Sequence, residues 1–210
     1  MSDARAKQIE RDRYYMGLAN AVETGADCFG TKVGAVVVLK NRVVSTGYNG
    51  TPAGFPNCTD NGCVRCHDRW LEKQNRQREM SDVAHVEGAG LDRCICVHAE
   101  QNAFLTAARF GIALEGATLY TTVSPCFGCL KESVQAGIDR IVYDRWYAAT
   151  YGQALVEQYV ALYGHLGAGT ARAFEAVGGG RPAVETEGQP DAYAETGGRT
   201  MTLDPPPSSN

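Results

Sequence analysis

Apolar residues recur along this chain with two different periods, and together they predict a domain of alternating helices and strands. Between Lys7 and Glu23 the apolar positions follow helical spacing, and Gly25 comes just after them as a stop signal. Val33–Leu39 is a short, continuous apolar run typical of a buried strand. Together with Arg42–Thr46, which follows after a two-residue turn, it predicts a hairpin.

The pattern continues in the second half of the chain. It predicts three helices, over His98–Phe110, Cys126–Gln135 and Thr150–Tyr163, and two strands, over Ala117–Val123 and Ile138–Tyr143. The predicted order is helix, strand, strand, helix, strand, helix, strand, helix. Since strands alternate with helices, the expected class is α/β, with helices packed on a mixed sheet.

Two segments lack a sustained period. Residues 51–93 hold prolines, glycines and cysteines, and a loop of this length inside a compact domain usually binds something. From residue 164 onward the composition shifts to Gly, Pro, Ala, Thr and Glu, which predicts a largely disordered tail over 164–210. Within it, Arg172–Val177 is a candidate short helix. The predicted organisation is therefore a domain over 1–163, with an insertion at 51–93, followed by the tail.

Composition narrows the possible environments and ligands. The first residues, Met1–Tyr15, are densely charged and lack the apolar run of a signal peptide, and no later stretch is long and apolar enough to span a bilayer. A cytoplasmic protein is therefore expected, in which eight cysteines indicate metal binding more than disulfides. The formal net charge of -4 argues against a nucleic-acid surface and favours a small-molecule substrate.

Two short motifs supply the chemistry. His98-Ala99-Glu100 and Pro125-Cys126-Phe127-Gly128-Cys129 both fall at predicted helix starts. A catalytic zinc takes about three protein ligands and leaves one position for water, whereas a structural zinc takes four protein ligands. His98, Cys126 and Cys129 are the three candidate ligands, and Glu100 is the candidate proton carrier. This combination matches the motif of the zinc nucleobase deaminases.

Other readings of these residues exist. His98 alone is compatible with a core or capping histidine, and Cys126-x-x-Cys129 alone with a thioredoxin-like redox pair. A redox pair, however, needs neither a distant histidine nor a carboxylate. An alternative from a different class of protein is a zinc-ribbon interaction module, in which Cys63-x-x-Cys66 and Cys126-x-x-Cys129 together form one tetrahedral zinc site. That arrangement would leave His98 and the carboxylate without a role.

Over about residues 10 to 160 the sequence is similar to the deoxycytidylate (dCMP) deaminase family. The segments that carry the resemblance are Gly47-Tyr48-Asn49-Gly50-Thr51-Pro52, Cys96-Val97-His98-Ala99-Glu100-Gln101-Asn102-Ala103 and Ser124-Pro125-Cys126-Phe127-Gly128-Cys129. The resemblance implies a three-layer cytidine-deaminase-like domain, an α/β fold in which helices cover both faces of a mixed central β-sheet. It also implies zinc-dependent hydrolysis of dCMP to dUMP and ammonia, which supplies the precursor of thymidylate.

The expected chemistry needs a strong nucleophile at neutral pH. Zinc lowers the pKa of its bound water to around 7, and the resulting hydroxide attacks C4 of cytosine. Glu100 takes the proton of the water, passes it to ring N3 and later protonates the leaving ammonia. Alternative substrates are a 5-modified dCMP, dCTP, cytidine or a base within RNA. The net negative charge of the chain argues against RNA, because polynucleotide binding relies on neutralising phosphate charges.

The resemblance further implies a second zinc. Its expected ligands are Cys28, Cys58 and Cys96, with a fourth from the insertion, where Cys63-x-x-Cys66 offers a chelating pair. The predicted set is Cys28, Cys58, Cys66 and Cys96. Six thiols, counting Cys63 and Cys94, compete for four places, and some are alternatively buried free cysteines.

The segment Tyr48-Asn49-Gly50 is either a simple Asn-Gly turn or, as the resemblance implies, part of a nucleotide-binding loop. In that family, dCTP with Mg²⁺ activates and dTTP inhibits at this loop, and the expected assembly is a homohexamer.

Four further residues are weaker candidates for substrate contacts. Phe127 and Tyr120 are candidates to pack on a base, although aromatic core residues are commoner. Lys32 and Arg109 are candidates to approach a phosphate, although surface charges are commoner.

Overall fold

The computed structural model describes residues 3–73, 94–145 and 173–176, which build a five-stranded sheet with helices around it. The helices are α1 (Asp3–Glu23), α2 (Val64–Lys73), α3 (Ala99–Arg109) and α4 (Phe127–Gln135), with a 3₁₀ turn at Cys58–Asp60. The strands are β1 (Gly34–Leu39), β2 (Arg42–Tyr48), β3 (Thr118–Val123), β4 (Arg140–Arg145) and β5 (Ala173–Ala176).

The sheet is mixed, with strand order β2-β1-β3-β4-β5. β1 pairs antiparallel with both β2 and β3, whereas β3, β4 and β5 run parallel. Val37 of β1 lies opposite Leu119 of β3, which lies opposite Ile141 of β4. These residues therefore form a continuous apolar row across the centre of the sheet, which confirms the mixed sheet expected from the sequence.

Helices cover both faces of the sheet because its central strands are apolar on both sides. On one face, Val36, Tyr120 and Val142 pack with α1. On the other face, Leu119 and Ile141, both fully buried, pack with residues of α3 and α4. The predicted three-layer α/β architecture is thus confirmed. Among the described helices, none is long and apolar enough to cross a membrane.

A buried charge network fastens α1 to the sheet. Asp12 accepts two hydrogen bonds from the guanidinium of Arg140, at 2.7 and 2.8 Å, and others from the Tyr120 hydroxyl at 2.8 Å and Gln8 at 2.9 Å. Burial acts to raise the pKa of Asp12, but these hydrogen bonds and the Arg140 charge outweigh it, so the pKa lies below its ordinary value. Asp12 is therefore held as a carboxylate that joins one helix to two strands.

The α3 helix lies unusually close to β2. A Cβ added at Gly47 would lie 2.2 Å from the carbonyl oxygen of Ala99 and 2.4 Å from the amide nitrogen of Ala103. Ser45, on the same strand, donates a hydrogen bond of 2.6 Å to the Ala103 carbonyl. Only glycine permits this approach, which fixes the position of the first turn of α3.

The structure corrects two sequence predictions. Residues 51–93 were expected to lack a period, but Cys58–Asp60 forms a 3₁₀ turn and Val64–Lys73 forms α2, whose Trp70 ring lies 5.2 Å from that of Phe29. The candidate helix at Arg172–Val177 is wrong, because Ala173–Ala176 is a strand that pairs with β4 and gains main-chain hydrogen bonds there. The predicted helix over 150–163 and the rest of the predicted tail lie outside the described residues.

Candidate active site

His98 stands at the N-cap of α3, where an extended backbone conformation turns the chain into the helix. The Gln101 side chain accepts a hydrogen bond of 3.1 Å from the His98 amide and donates one of 2.9 Å to Glu132 of α4. This double contact ties the first turn of α3 to the neighbouring helix. It fixes the imidazole relative to the start of α4.

Cys126 is the N-cap of α4 and Cys129 lies in its first turn. Each Sγ is 3.4 Å from Nδ1 of His98. Zinc bonds of roughly 2.3 Å to sulfur and 2.0 Å to nitrogen, at a tetrahedral angle, separate the two ligand atoms by about 3.5 Å. The three side chains therefore have the spacing that a single zinc ion needs, and their donor types suit zinc.

The local electrostatics favour a thiolate at this point. A hydrogen bond with Cys129 is the main influence that lowers the pKa of Cys126 to about 4, against burial and with help from His98. In return, the Cys126 thiolate raises the pKa of His98 to about 9. Zinc would need both thiolates and a neutral imidazole, so its binding would release protons from the site.

Glu100 lies in the first turn of α3, is only 4% exposed and is not in the ligand group formed by His98, Cys126 and Cys129. Burial is the largest influence on its pKa and raises it to about 7. Thr121 Oγ1 lies 3.5 Å from its Oε1. A carboxyl group with a pKa near neutrality can both accept and donate a proton at physiological pH.

A cavity of about 300 Å³ opens above these groups. His98, Glu100 and Cys126 line this cavity, and α2 contributes Arg65 and Arg69 to its lining. Trp70 of α2 and Phe29 also line it, with ring centroids 5.2 Å apart. The cavity thus combines a candidate metal centre, an aromatic wall and two guanidinium groups, within the size range typical of small-ligand sites.

The three residues predicted to bind nucleotide have different positions. Asn49 lines the cavity, but its side chain accepts a hydrogen bond from the Val33 amide at 2.7 Å and donates one to the Thr31 carbonyl at 2.9 Å. Gly50 pairs with Val97 through main-chain hydrogen bonds, beside the candidate ligands. The Tyr48 side chain is 48% exposed. Of these three residues, Asn49 is the one that lines the described cavity.

Several weaker sequence candidates lie elsewhere. Tyr120 is 2% exposed on the α1 side of the sheet, so it is a core residue. Phe127 lies beneath the ammonium group of Lys131, at 5.2 Å from its ring centroid. Lys32 and Arg109 are exposed, and neither lines the cavity formed by the described residues.

The cavity residues that sequence reasoning missed are Phe29 and, on α2, Arg65, Arg69 and Trp70. Arg65 and Arg69 are four residues apart, as are Cys66 and Trp70, so each pair shares one side of a helix. This spacing was visible in the sequence. The spacing did not lead to a predicted helix, because charged residues lie between these positions and because the helix is short.

The remaining six cysteines meet near this cavity in two overlapping groups, within each of which all four sulfur atoms lie within 4.8 Å of one another. One is the predicted set Cys28, Cys58, Cys66 and Cys96, and the other consists of Cys63, Cys66, Cys94 and Cys96. In the described structure neither group includes Cys126 or Cys129. The zinc ribbon that would join Cys63-x-x-Cys66 to Cys126-x-x-Cys129 is therefore wrong.

Comparison with known proteins agrees with this geometry. Residues 9–145 match the model of the cytidine and deoxycytidylate deaminase zinc-binding region. The deoxycytidylate deaminase of Mycobacterium phage D29 is 41% identical over 134 residues, which are 64% of this chain and 94% of the phage protein. That of Saccharomyces cerevisiae is 38% identical over 136 residues, 65% of this chain but only 38% of the yeast protein.

Solved structures show the same similarity. The crystal structure of the dCMP deaminase from cyanophage S-TIM5 in complex with dCMP and dUMP is 26% identical, with a TM-score of 0.52. The match covers 84% of this chain and 98% of the phage chain. The apo form of the same phage protein also has a TM-score of 0.52 and covers 80% of this chain.

Proposed function

This chain belongs to the cytidine and deoxycytidylate deaminase family, and from that premise we propose that it hydrolyses dCMP to dUMP and ammonia. The relatives named deoxycytidylate deaminase, and the phage structure in complex with dCMP and dUMP, support this substrate. The observation that carries the proposal is the convergence of His98, Cys126 and Cys129 beside a buried carboxylate that is outside the ligand group.

In this proposal Glu100 carries the protons. A zinc ion held by His98, Cys126 and Cys129 would, when bound, act as a Lewis acid that acidifies a water molecule at its open position. Glu100 would accept a proton from that water and donate it to ring N3 of the base. It would then take the proton of the new hydroxyl on C4 and pass it to the departing amine, which leaves as ammonia while the C4 carbonyl forms. Its raised pKa of about 7 suits a group that must serve first as base and then as acid.

The arginines of α2 favour a nucleotide over a free nucleoside. Arg65 is half-buried and Arg69 is exposed, and both line the same cavity as Glu100. Guanidinium groups bind phosphate through charge-assisted, often bidentate hydrogen bonds. We therefore assign these two residues to the 5′-phosphate and the aromatic wall of Phe29 and Trp70 to apolar contacts with the nucleoside.

A substrate panel tests the proposed reaction. Ammonia release would be measured from dCMP, CMP, dCTP, 5-methyl-dCMP and cytidine, each with and without dCTP plus Mg²⁺. We expect dCMP to have the highest kcat/KM, and Arg65→Ala and Arg69→Ala to raise KM for dCMP while leaving the weak use of cytidine unchanged. A preference for cytidine, or equal losses on both substrates, would contradict the phosphate assignment.

Replacement of the proton carrier tests the mechanism. Glu100→Gln keeps the volume of the side chain, so the fold and the zinc content should persist while kcat falls by roughly 10² to 10⁴. Glu10→Gln, an exposed carboxylate on α1, is the matched control. Activity of Glu100→Gln within tenfold of the wild type would refute the assigned role.

Further properties implied by the resemblance stay proposals. They are zinc binding by the second group of cysteines, activation by dCTP with Mg²⁺, inhibition by dTTP, and assembly into a homohexamer. The partly exposed Tyr48, together with Asn49 and Gly50, is the proposed regulatory nucleotide segment. The arms of the panel that contain dCTP test this regulation directly. The cytoplasmic location stays a prediction.

A further inference from the structure

We propose that the six cysteines outside the candidate active site hold two metal ions rather than one, in a binuclear zinc–thiolate cluster in which Cys66 and Cys96 bridge the ions. Each of the two groups of four sulfur atoms described above contains both of these residues. Cys28 and Cys58 complete one group, and Cys63 and Cys94 complete the other.

The separations between sulfur atoms fit tetrahedral sites. Zinc–sulfur bonds of roughly 2.3 Å at tetrahedral angles place neighbouring sulfurs about 3.8 Å apart. In the first group, Cys28 lies 3.8 Å from Cys66 and 4.0 Å from Cys58. In the second, Cys94 lies 3.8 Å from Cys63 and 3.4 Å from Cys66. The two bridging sulfurs are 4.0 Å apart.

The count of thiols distinguishes two ions from one. A single tetrahedral zinc uses four sulfurs and would leave either Cys28 and Cys58, or Cys63 and Cys94, without a metal beside it. Two ions that share Cys66 and Cys96 use all six. The predicted single site at Cys28, Cys58, Cys66 and Cys96 is then half of a larger cluster.

Two apolar side chains in the described part of the insertion do not reach the core. Phe55 and Val64 are 60% and 56% exposed, so these apolar residues of the insertion are not anchored in the core. The cysteines instead form a separate buried cluster, with Phe29 packed against it. Metal binding that accompanies folding supplies folding free energy, which would stabilise the described part of the insertion.

The cluster joins three separate parts of the chain. Cys28 follows α1, Cys58, Cys63 and Cys66 belong to the insertion, and Cys94 and Cys96 precede the candidate ligand His98. Arg65 and Arg69 flank Cys66 on α2, so the same cluster positions the proposed phosphate contacts. The charge also suits this place, because six thiolates and two Zn²⁺ ions carry a net negative charge close to these two guanidinium groups.

Zinc analysis of the full chain, purified under reducing conditions, tests the proposal. We expect three zinc ions per chain in the wild type and two in Cys126→Ser, which removes only the proposed catalytic ion. Two ions in both proteins would retain the binuclear cluster and refute the proposed catalytic zinc. Two in the wild type and one in Cys126→Ser would refute the cluster.

Two matched variants separate the halves of the cluster. Cys58→Ser and Cys63→Ser each remove a thiol that belongs to one group only, so each is expected to lose one zinc. A single site at Cys28, Cys58, Cys66 and Cys96 would be indifferent to Cys63→Ser, and that result would overturn the proposal.

A spectroscopic measurement needs no variant. In the wild type substituted with ¹¹³Cd, two all-thiolate resonances with mutual coupling through the bridging sulfurs are expected. A single such resonance, or a disulfide between Cys66 and Cys94 in the freshly reduced protein, would also overturn the proposal.

Discussion

The close contact between β2 and α3 makes Gly47→Ala a sharp test of how the fold positions the proposed catalytic groups. The added Cβ would lie 2.2 Å from the Ala99 carbonyl oxygen and 2.4 Å from the Ala103 amide nitrogen. Ordinary contacts of such atoms begin near 3.4 Å. Both neighbours are backbone atoms of α3, so the helix itself must move by about 1 Å to relieve the overlap.

The size of the effect follows from where α3 begins. Glu100 is adjacent to the displaced Ala99, whereas Cys126 and Cys129 lie at the start of α4. The substitution therefore moves the proposed proton carrier relative to two of the proposed ligands. A misplacement of about 1 Å can reduce catalysis by about 10²-fold. Overpacking of this kind costs about 1 to 3 kcal/mol of unfolding free energy.

The measurements are kcat for dCMP, zinc content and the denaturant midpoint. Gly47→Ala should lose roughly 10²-fold in kcat while it keeps its zinc. Gly17→Ala is the matched control, because Gly17 lies in the interior of α1 and its added Cβ meets nothing within 4 Å. It should be more stable than the wild type by about 0.5 to 1 kcal/mol. If Gly47→Ala kept kcat within twofold and its midpoint unchanged, the contact would not be what positions Glu100.

Three other predictions concern stability and metal. Asp12→Asn should cost about 1.5 to 3 kcal/mol at pH 7, because it weakens hydrogen bonds to a charged group. The folded-state pKa of Asp12 is lowered from 3.8, so the wild type loses this stabilisation as the pH falls through the folded-state pKa. The urea midpoints of the two proteins should then converge. A constant difference between the midpoints down to pH 2 would contradict the reasoning. Leu119→Ala, at a fully buried position, should cost about 2 to 5 kcal/mol in a urea titration, and an equal loss for Leu105→Ala, 61% exposed, would contradict this. Removal of zinc by a chelator should lower the Tm, and zinc should restore it, whereas an unchanged Tm would argue against metal-dependent folding.

The elements predicted best from the sequence are those whose buried residues follow a regular pattern within the element itself. The continuous run of β1 gives a strand with Ala35–Val38 buried, and α3 begins one residue after the predicted start. β5 was missed because its four residues carry no period of their own. It is a strand through its pairing with β4, a contact distant in sequence. α2 was missed because much of what it packs against is cysteine sulfur and Phe29 rather than an apolar core.

The candidate site divides in the same way. His98, Glu100, Cys126 and Cys129 were predicted because short motifs place them at two helix starts, and the structure brings these starts together. Arg65 and Arg69 could not be assigned, since their place in the cavity depends on how the insertion folds back beside Cys28 and Cys96. A local sequence pattern contains no information about where the insertion folds back.

The six-cysteine cluster and the α3–β2 contact are therefore expected to affect different kinetic constants. Only Val97 separates Cys96 from His98, and it is held by hydrogen bonds to Gly50. The segment of the proposed ligand His98 therefore has support independent of the insertion. Arg65 and Arg69 have no such second support among the described main-chain contacts. Cys63→Ser should accordingly raise KM for dCMP more than it lowers kcat, whereas Gly47→Ala should do the reverse. Equal losses in kcat and KM for both variants would show that the insertion and the α3–β2 contact act on the site as one unit.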